Sequence, residues 1–141
     1  MDITKSRIKE VIGLGTLFIA WLIILHFAWL MLYPYEPLIV NDVKIFNNTY
    51  SNGDIIIYEM DYCKNSDHSA EITKNFEDGI VFQLKSYTTN APIGCHIRNA
   101  TVEIPKTLPK GTYRLCVNAR YNINFMRQIN VKYVTPEFEV I

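Results

Sequence analysis

One stretch near the N-terminus, from Val11 to Tyr33, restricts the fold more than any other part of the sequence. It reads VIGLGTLFIAWLIILHFAWLMLY and contains no Asp, Glu, Lys or Arg. A helix rises about 1.5 Å per residue, so a run of this length spans the ~30 Å hydrocarbon core of a bilayer. It also lacks the polar stripe of a helix that packs on a soluble core. The sequence therefore predicts one transmembrane helix over 11–33.

We expect this span to remain in the mature protein as a signal-anchor. A cleaved secretory signal has an apolar region of ~7–15 residues followed by a small-x-small cleavage site. The run here is longer, and no Ala-x-Ala follows it. Aromatic residues at its far end are typical of the membrane–water interface, and they are Trp29, Tyr33 and Tyr35.

The charges that flank the span predict its orientation. Three basic residues precede it, namely Lys5, Arg7 and Lys9. After the span, Lys44 is the only basic residue before Lys64. Because basic flanks stay in the cytoplasm, residues 1–10 are predicted to form a cytoplasmic tail, too short to fold. Residues 34–141 then form a domain outside the cytoplasm.

The composition of this outer domain excludes some partners. It is long enough for one small domain with its own core. The whole chain balances 14 basic against 14 acidic residues, whereas a nucleic-acid surface needs a clustered positive field. The six glycines form no phosphate-binding loop. We expect no nucleic-acid partner and no cofactor.

Alternating apolar and polar residues predict β-strands in the outer domain. One face of DIIIYEMDYC holds Ile56, Tyr58, Met60 and Tyr62. One face of the strongest pattern holds Tyr113, Leu115, Val117, Ala119 and Tyr121. The polar stretch from Lys64 to Phe76 is expected to hold a loop or one helical turn. About seven short strands, with turn signals between them and no long amphipathic helix, predict an all-β antiparallel sandwich.

The turn before the strongest strand resembles the E–F corner of immunoglobulin-like and fibronectin-like domains. It reads LPKGTY, from Leu108 to Tyr113. In those domains a tyrosine hydroxyl bonds back to nearby backbone, so the resemblance implies an immunoglobulin-like β-sandwich. The chain departs from the antibody pattern because Cys116 follows the tyrosine by three residues rather than two. Cys116 is therefore expected to face away from the core.

The whole chain also resembles small single-pass membrane proteins encoded by tailed bacteriophages. The shared motifs are Tyr33-Pro34-Tyr35, Tyr62-Cys63-Lys64, Gly94-Cys95, the turn Pro109–Tyr113, and the closing segments Asn124–Arg127 and Thr135–Val140. The resemblance implies a bacterial inner membrane and a periplasmic domain. It implies no activity.

Three cysteines lie in the outer domain, Cys63, Cys95 and Cys116. Outside the cytoplasm a close pair is expected to form a disulfide, and three cysteines allow three single bridges. Cys63–Cys95 is favoured because both lie at strand–loop junctions, and closing a loop of ~30 residues stabilises the fold by roughly 3 kcal/mol. Cys116, in mid-strand, is then a free or intermolecular thiol. A chain with no bridge is the remaining alternative.

Metal and catalytic sites are the less favoured interpretations. The metal-ligating residue types are Cys63, His68, Cys95 and His96. Tetrahedral zinc needs closely spaced pairs, and adjacent strand residues such as Cys95 and His96 point to opposite faces. The carboxylate pairs, Glu59 with Asp61 and Glu77 with Asp78, fit solvated surface better than acid–base catalysis. We predict no catalytic residue and no metal site.

We therefore predict a membrane-anchored, non-enzymatic binding module that contacts the lipid bilayer and an envelope protein. Encoded by a phage, it would act on the host envelope or on superinfection. Its predicted contact surface is an exposed sheet edge or a tract whose candidate residues are Arg120, Tyr121, Phe125, Met126 and Arg127. This tract joins the last two strands, where sandwich domains often carry recognition loops. A plain hairpin with buried aromatic residues explains the tract equally well, and exposure of Phe125 and Met126 separates the two interpretations.

The alternative function is structural. In this interpretation the chain is a virion or envelope membrane protein that assembles as a homo-oligomer through the span and Cys116.

Overall fold

The computed structural model describes residues 3–78 and 80–141, with side chains from Val11 onward except at Ile80. The chain divides after Tyr35 into two compact units. The first is a helix, and the second is a β domain.

The first unit is helix α1 (Ile3–Leu32). Its segment Val11–Leu32 is, by length and composition, long and apolar enough to cross a membrane. The amide of Tyr33 donates to the carbonyl of Trp29 at 3.0 Å, which closes the last turn. The helix begins before the predicted span, so the prediction that the N-terminal tail is too short to fold is wrong from Ile3 onward: these residues continue the helix of the span.

The described part of the second unit contains ten strands. They are β1 (Leu38–Ile45), β2 (Thr49–Tyr50), β3 (Ile55–Lys64), β4 (Ala70–Asp78), β5 (Ile80–Gln83), β6 (Tyr87–Thr89), β7 (Gly94–Glu103), β8 (Gly111–Asn124), β9 (Arg127–Val134) and β10 (Phe138–Val140).

The strands form two sheets. The first has the order β1-β3-β7. The second has the order β2-β10-β8-β4-β5, with β6 also on β4 and β9 also on β8. The described strand pairs are antiparallel as predicted, except for β10 and β2, which are parallel.

The two sheets share one hydrophobic core. The first sheet contributes the predicted face of β3, where Ile56, Tyr58 and Tyr62 are buried. The second contributes the predicted face of β8, with Tyr113, Leu115, Val117, Ala119 and Tyr121 all buried. Each fully buried large side chain contributes roughly 1.5–3 kcal/mol relative to exposure, so these two faces dominate the packing.

The loop or helical turn expected between Lys64 and Phe76 is wrong over most of its length. Residues from Ala70 onward form β4, which pairs with β8 on one side and with β5 and β6 on the other. Its inward residues include Ile72 and Phe76, with Lys74 between them, and Lys74 is only 6% exposed. A charged residue at an inward position hides the alternation that marks a strand.

The corner before β8 has the hydrogen bond expected from its sequence. The Tyr113 hydroxyl donates to the Pro109 carbonyl at 2.8 Å. The Tyr113 ring packs near Phe76, Phe82 and Phe138, with centroid distances of 6.4–6.5 Å. This bond fixes the chain where it enters the longest strand of the second sheet.

Candidate functional site

The hairpin that joins β8 to β9 exposes two apolar side chains at its tip. Phe125 is 84% exposed and Met126 is 42% exposed. The amide of Met126 donates to Asn124 Oδ1 at 2.9 Å, a side-chain turn that holds the tip in shape. Among the described residues, no other large apolar side chain is as exposed as Phe125. This exposure favours a contact surface over a hairpin with buried aromatic residues.

The other predicted contact residues of this tract take different positions. Tyr121 is 3% exposed and belongs to the core, so its prediction as a contact residue is wrong: it faces inward with the other apolar residues of β8. Arg120 lies on the opposite face of β8, where its Nη1 is 3.5 Å from Glu71 Oε2. Arg127 is half-buried at the start of β9. The candidate contact surface is therefore the tip, Phe125 and Met126, flanked by Arg127.

The hairpin lies at the end of the domain where β1 begins, which we call the near end. Leu38 of β1 lies opposite Lys64, and Lys64 lies opposite Gly94, so the loop before β7 is at this end. In the second sheet, Ala70, the first residue of β4, lies opposite Tyr121, just before the hairpin. Leu38, Lys64 and Tyr121 also border one cavity of about 170 Å³ between the sheets.

The structure contains the disulfide favoured from the sequence, between Cys63 and Cys95. The two residues lie directly opposite each other on β3 and β7. They belong to the outward face of the first sheet, one residue from the strand ends at the near end. The bridge therefore ties the last pairs of β3 and β7 together.

Cys116 is free, as predicted, but it is buried. It points away from the core, as expected, and lies opposite Asn75 on β4 and Val134 on β9. The side chains of Lys132 and Glu77, 3.5 Å apart, lie beside its thiol. Burial raises the pKa of Cys116, and the neighbouring Lys132 ammonium offsets this only in part. The thiol is thus protonated at neutral pH and weakly nucleophilic.

Two buried lysines were not predicted as functional or structural residues. Lys74 Nζ donates to the Thr101 carbonyl at 2.9 Å and lies 5.5 Å and 5.4 Å from the ring centroids of Tyr58 and Tyr87. Burial lowers the pKa of Lys74. Lys64 Nζ donates to the Ala91 carbonyl at 2.7 Å and to Asn90 Oδ1 at 3.0 Å. Both lysines occupy inward positions of strands, and that parity is the one signal in the sequence that could have identified them.

The residue set considered for a metal site does not come together. Cys63 and Cys95 are joined in a disulfide, so neither sulfur is a thiolate ligand. His68 Nδ1 is 2.8 Å from Ser66 Oγ, and His96 Nε2 is 3.2 Å from the Ile93 carbonyl. Within 3–78 and 80–141, no group of three or more His, Cys, Asp or Glu side chains is placed to hold a metal ion.

The predicted membrane-interface residues, Trp29, Tyr33 and Tyr35, all lie at the end of the first unit. The rings of Trp29 and Tyr33 are in contact, with centroids 4.9 Å apart. Tyr35 is half-buried. The contact between Trp29 and Tyr33 stabilises the end of the helix with an aromatic pair of the kind found at headgroup level.

No protein-family model and no curated protein sequence matches the chain. The sporulation control protein Spo0M from Bacillus subtilis is similar in structure, with 11% identity and a TM-score of 0.46, over 75% of this chain and 50% of that one. The alkylpurine DNA glycosylase AlkC from Pseudomonas fluorescens, bound to DNA containing an abasic site analog, has 12% identity and a TM-score of 0.39, over 74% of this chain and 30% of that one. The chain thus spans half the length of the first structure and less than a third of the second. At these levels of similarity neither structure informs the function of this chain.

Proposed function

We propose that this chain is a single-pass membrane protein whose β domain binds a component of the bacterial envelope and has no catalytic role. In this proposal the N-terminus is cytoplasmic and the domain is an immunoglobulin-like sandwich in the periplasm. The apolar helix supports the anchor, and the tyrosine corner at Tyr113 supports the fold. The resemblance to phage-encoded membrane proteins adds the biological setting: action on the host envelope or on superinfection.

One observation carries the binding role, the exposed apolar tip of the β8–β9 hairpin. A Phe that is 84% exposed leaves nearly its whole ring in water. Burying such a side chain is worth roughly 1.5–3 kcal/mol, which a partner recovers on contact. Met126, next to it, is unbranched and adapts to irregular surfaces. Aromatic and Met side chains are also enriched where proteins meet partners.

Site-specific photo-cross-linking in bacterial membranes tests this role. A photoreactive phenylalanine analogue replaces Phe125 in the tagged full-length protein, and adducts are identified by mass spectrometry. The matched control places the same analogue at Phe46, which is exposed beyond the end of β1. We expect an adduct with an envelope component from position 125 that is absent from position 46.

The other outcomes are also decisive. Adducts only between copies of the chain would support the structural, self-assembling role instead. Equal adducts from both positions, or none from position 125, would contradict a contact surface at the hairpin. Release of the protein by alkaline carbonate would contradict the membrane anchor.

A further inference from the structure

The chain enters the β domain at its near end, the end that carries the hairpin. Asn65 binds the segment that precedes β1. Its backbone amide donates to the Pro37 carbonyl at 3.0 Å, and its side-chain Nδ2 donates to the Glu36 carbonyl at 3.2 Å. Only residues 33–37 lie between the end of α1 and Leu38. Six backbone steps join Leu32 to Leu38, and they reach at most about 22 Å when fully extended. The covalent chain therefore keeps Leu38 within that distance of the last residue of the apolar helix.

Two separate loops of the near end expose apolar side chains. One is the hairpin tip, Phe125 and Met126. The other is the loop before β7, where Ile93 is 60% exposed. The loops of the opposite end expose Phe46, at 59%, together with the charged Lys106 and Lys110, while Leu108 is buried there. The most exposed large apolar side chain of the described residues, Phe125, thus lies at the tethered end.

Charge contributes less to this site than its apolar side chains do. Arg127 follows the tip and suits the anionic headgroups of a lipid surface. Glu36 and Asp67 also lie at the near end and are exposed, so they offset this attraction. The apolar tips, rather than a basic cluster, are what a membrane interface would bind here.

We propose that the hairpin tip rests in the interfacial layer of the membrane that α1 spans, so that lipid is the partner of this site. This inference rests on the proposed function, because it requires α1 to anchor the chain. Phe125 and Met126 then lie between headgroups and acyl chains, and Ile93, in the other exposed loop of the near end, reaches the same layer.

Spin-label depth measurement on the full-length protein tests this proposal. Cysteine variants Phe125→Cys and Ile93→Cys carry the label, in proteoliposomes of phosphatidylethanolamine and phosphatidylglycerol. The native cysteines should take up little label, because Cys63 and Cys95 are joined in a disulfide and Cys116 is buried. Wild-type protein treated with the same spin label measures this background. Collision rates with oxygen, which partitions into lipid, are compared with those of a water-soluble nickel chelate.

Two controls bracket the measurement. Phe46→Cys places the label at a position that is 59% exposed, just after the last residue of β1. Because β1 has eight residues, this position lies about 25 Å from the near end. Trp21→Cys labels the middle of the apolar helix and reports on the anchor. We expect the oxygen-to-nickel ratio to be several-fold higher at positions 125 and 93 than at position 46.

The outcomes separate this inference from the proposed function. If position 21 reports lipid but position 125 reports water, the chain is anchored and the lipid contact is refuted. If position 125 is shielded from both reagents, the tip is covered by protein and the lipid contact is again refuted. If position 21 itself reports water, the anchor fails and both proposals fall.

Discussion

The disulfide between Cys63 and Cys95 should supply a large part of the stability of the β domain. The bridge joins residues 32 positions apart, and the chain-entropy relation then gives about 3.7 kcal/mol at 25 °C. Small domains are stable by only about 5–15 kcal/mol in total. Cys95 is exposed and Cys63 half-buried, so replacing both with alanine leaves no large cavity. Nearly all of the loss should therefore arise in the unfolded state.

Urea unfolding of residues 36–141 measures this contribution, because every residue of the core cluster lies within that segment. The double variant Cys63→Ala/Cys95→Ala should lose about 3–4 kcal/mol, and its Tm should fall by roughly 15 °C for a domain of this size. Wild-type protein reduced with a thiol should lose the same amount. A loss below about 1 kcal/mol in both would refute the reasoning, since the bridge would then not restrain the unfolded chain.

Three further predictions concern single side chains. Tyr113→Phe removes the hydroxyl that donates to the Pro109 carbonyl and should lower the free energy of unfolding, measured in urea, by about 1 kcal/mol. An unchanged urea midpoint would show that this hydrogen bond contributes nothing to stability. Burial raises the pKa of Tyr58 to about 12 from 10.0, so the contribution of Tyr58 to stability should be complete below pH 10 and be lost as the pH rises toward 12. The free energy of unfolding of Tyr58→Phe should therefore change less over that pH range than that of the wild type. Parallel pH profiles of the two proteins would contradict this. Cys116 is buried beside Lys132, so a maleimide should label the folded protein roughly 100-fold more slowly than the unfolded chain, which corresponds to a local opening of about 2.7 kcal/mol. Equal rates in folded and unfolded protein would disprove the burial.

The parts of the fold that could be predicted from the sequence follow from short-range periodicity. A strand with one face in the core alternates with period two, and β3 and β8 have this pattern over most of their lengths. The corner at Tyr113 was predictable because its Pro and Gly set a turn and the tyrosine follows at a fixed distance. The favoured cysteine pair was predictable because strand ends give two side chains the freedom to meet.

The parts that could not be predicted depend on partners distant in sequence. β4 was not predicted because Lys74, a charged residue, occupies an inward position and interrupts the alternation of apolar and polar residues. Its ammonium donates to the Thr101 carbonyl and lies over the rings of Tyr58 and Tyr87. Cys116 has the predicted parity, yet its burial depends on side chains from β4 and β9 that cover the outer face. The parallel pairing of β2 with β10 joins segments from opposite ends of the domain. None of these contacts leaves a signal within a short window of sequence.

The same contacts help to choose between the two binding surfaces that the sequence left open, a sheet edge and the hairpin. A free edge strand recruits another strand through its unpaired backbone groups, and inward charges or bulges suppress this. On β7, the Thr101 carbonyl is occupied by Lys74, and Arg98 lies at an inward-parity position opposite Met60. The register of β1, at the other edge of the same sheet, shifts between Val40 and Asp42. Both edges of the first sheet are thus poor templates for a partner strand, which favours the hairpin tip over either of these edges as the contact surface.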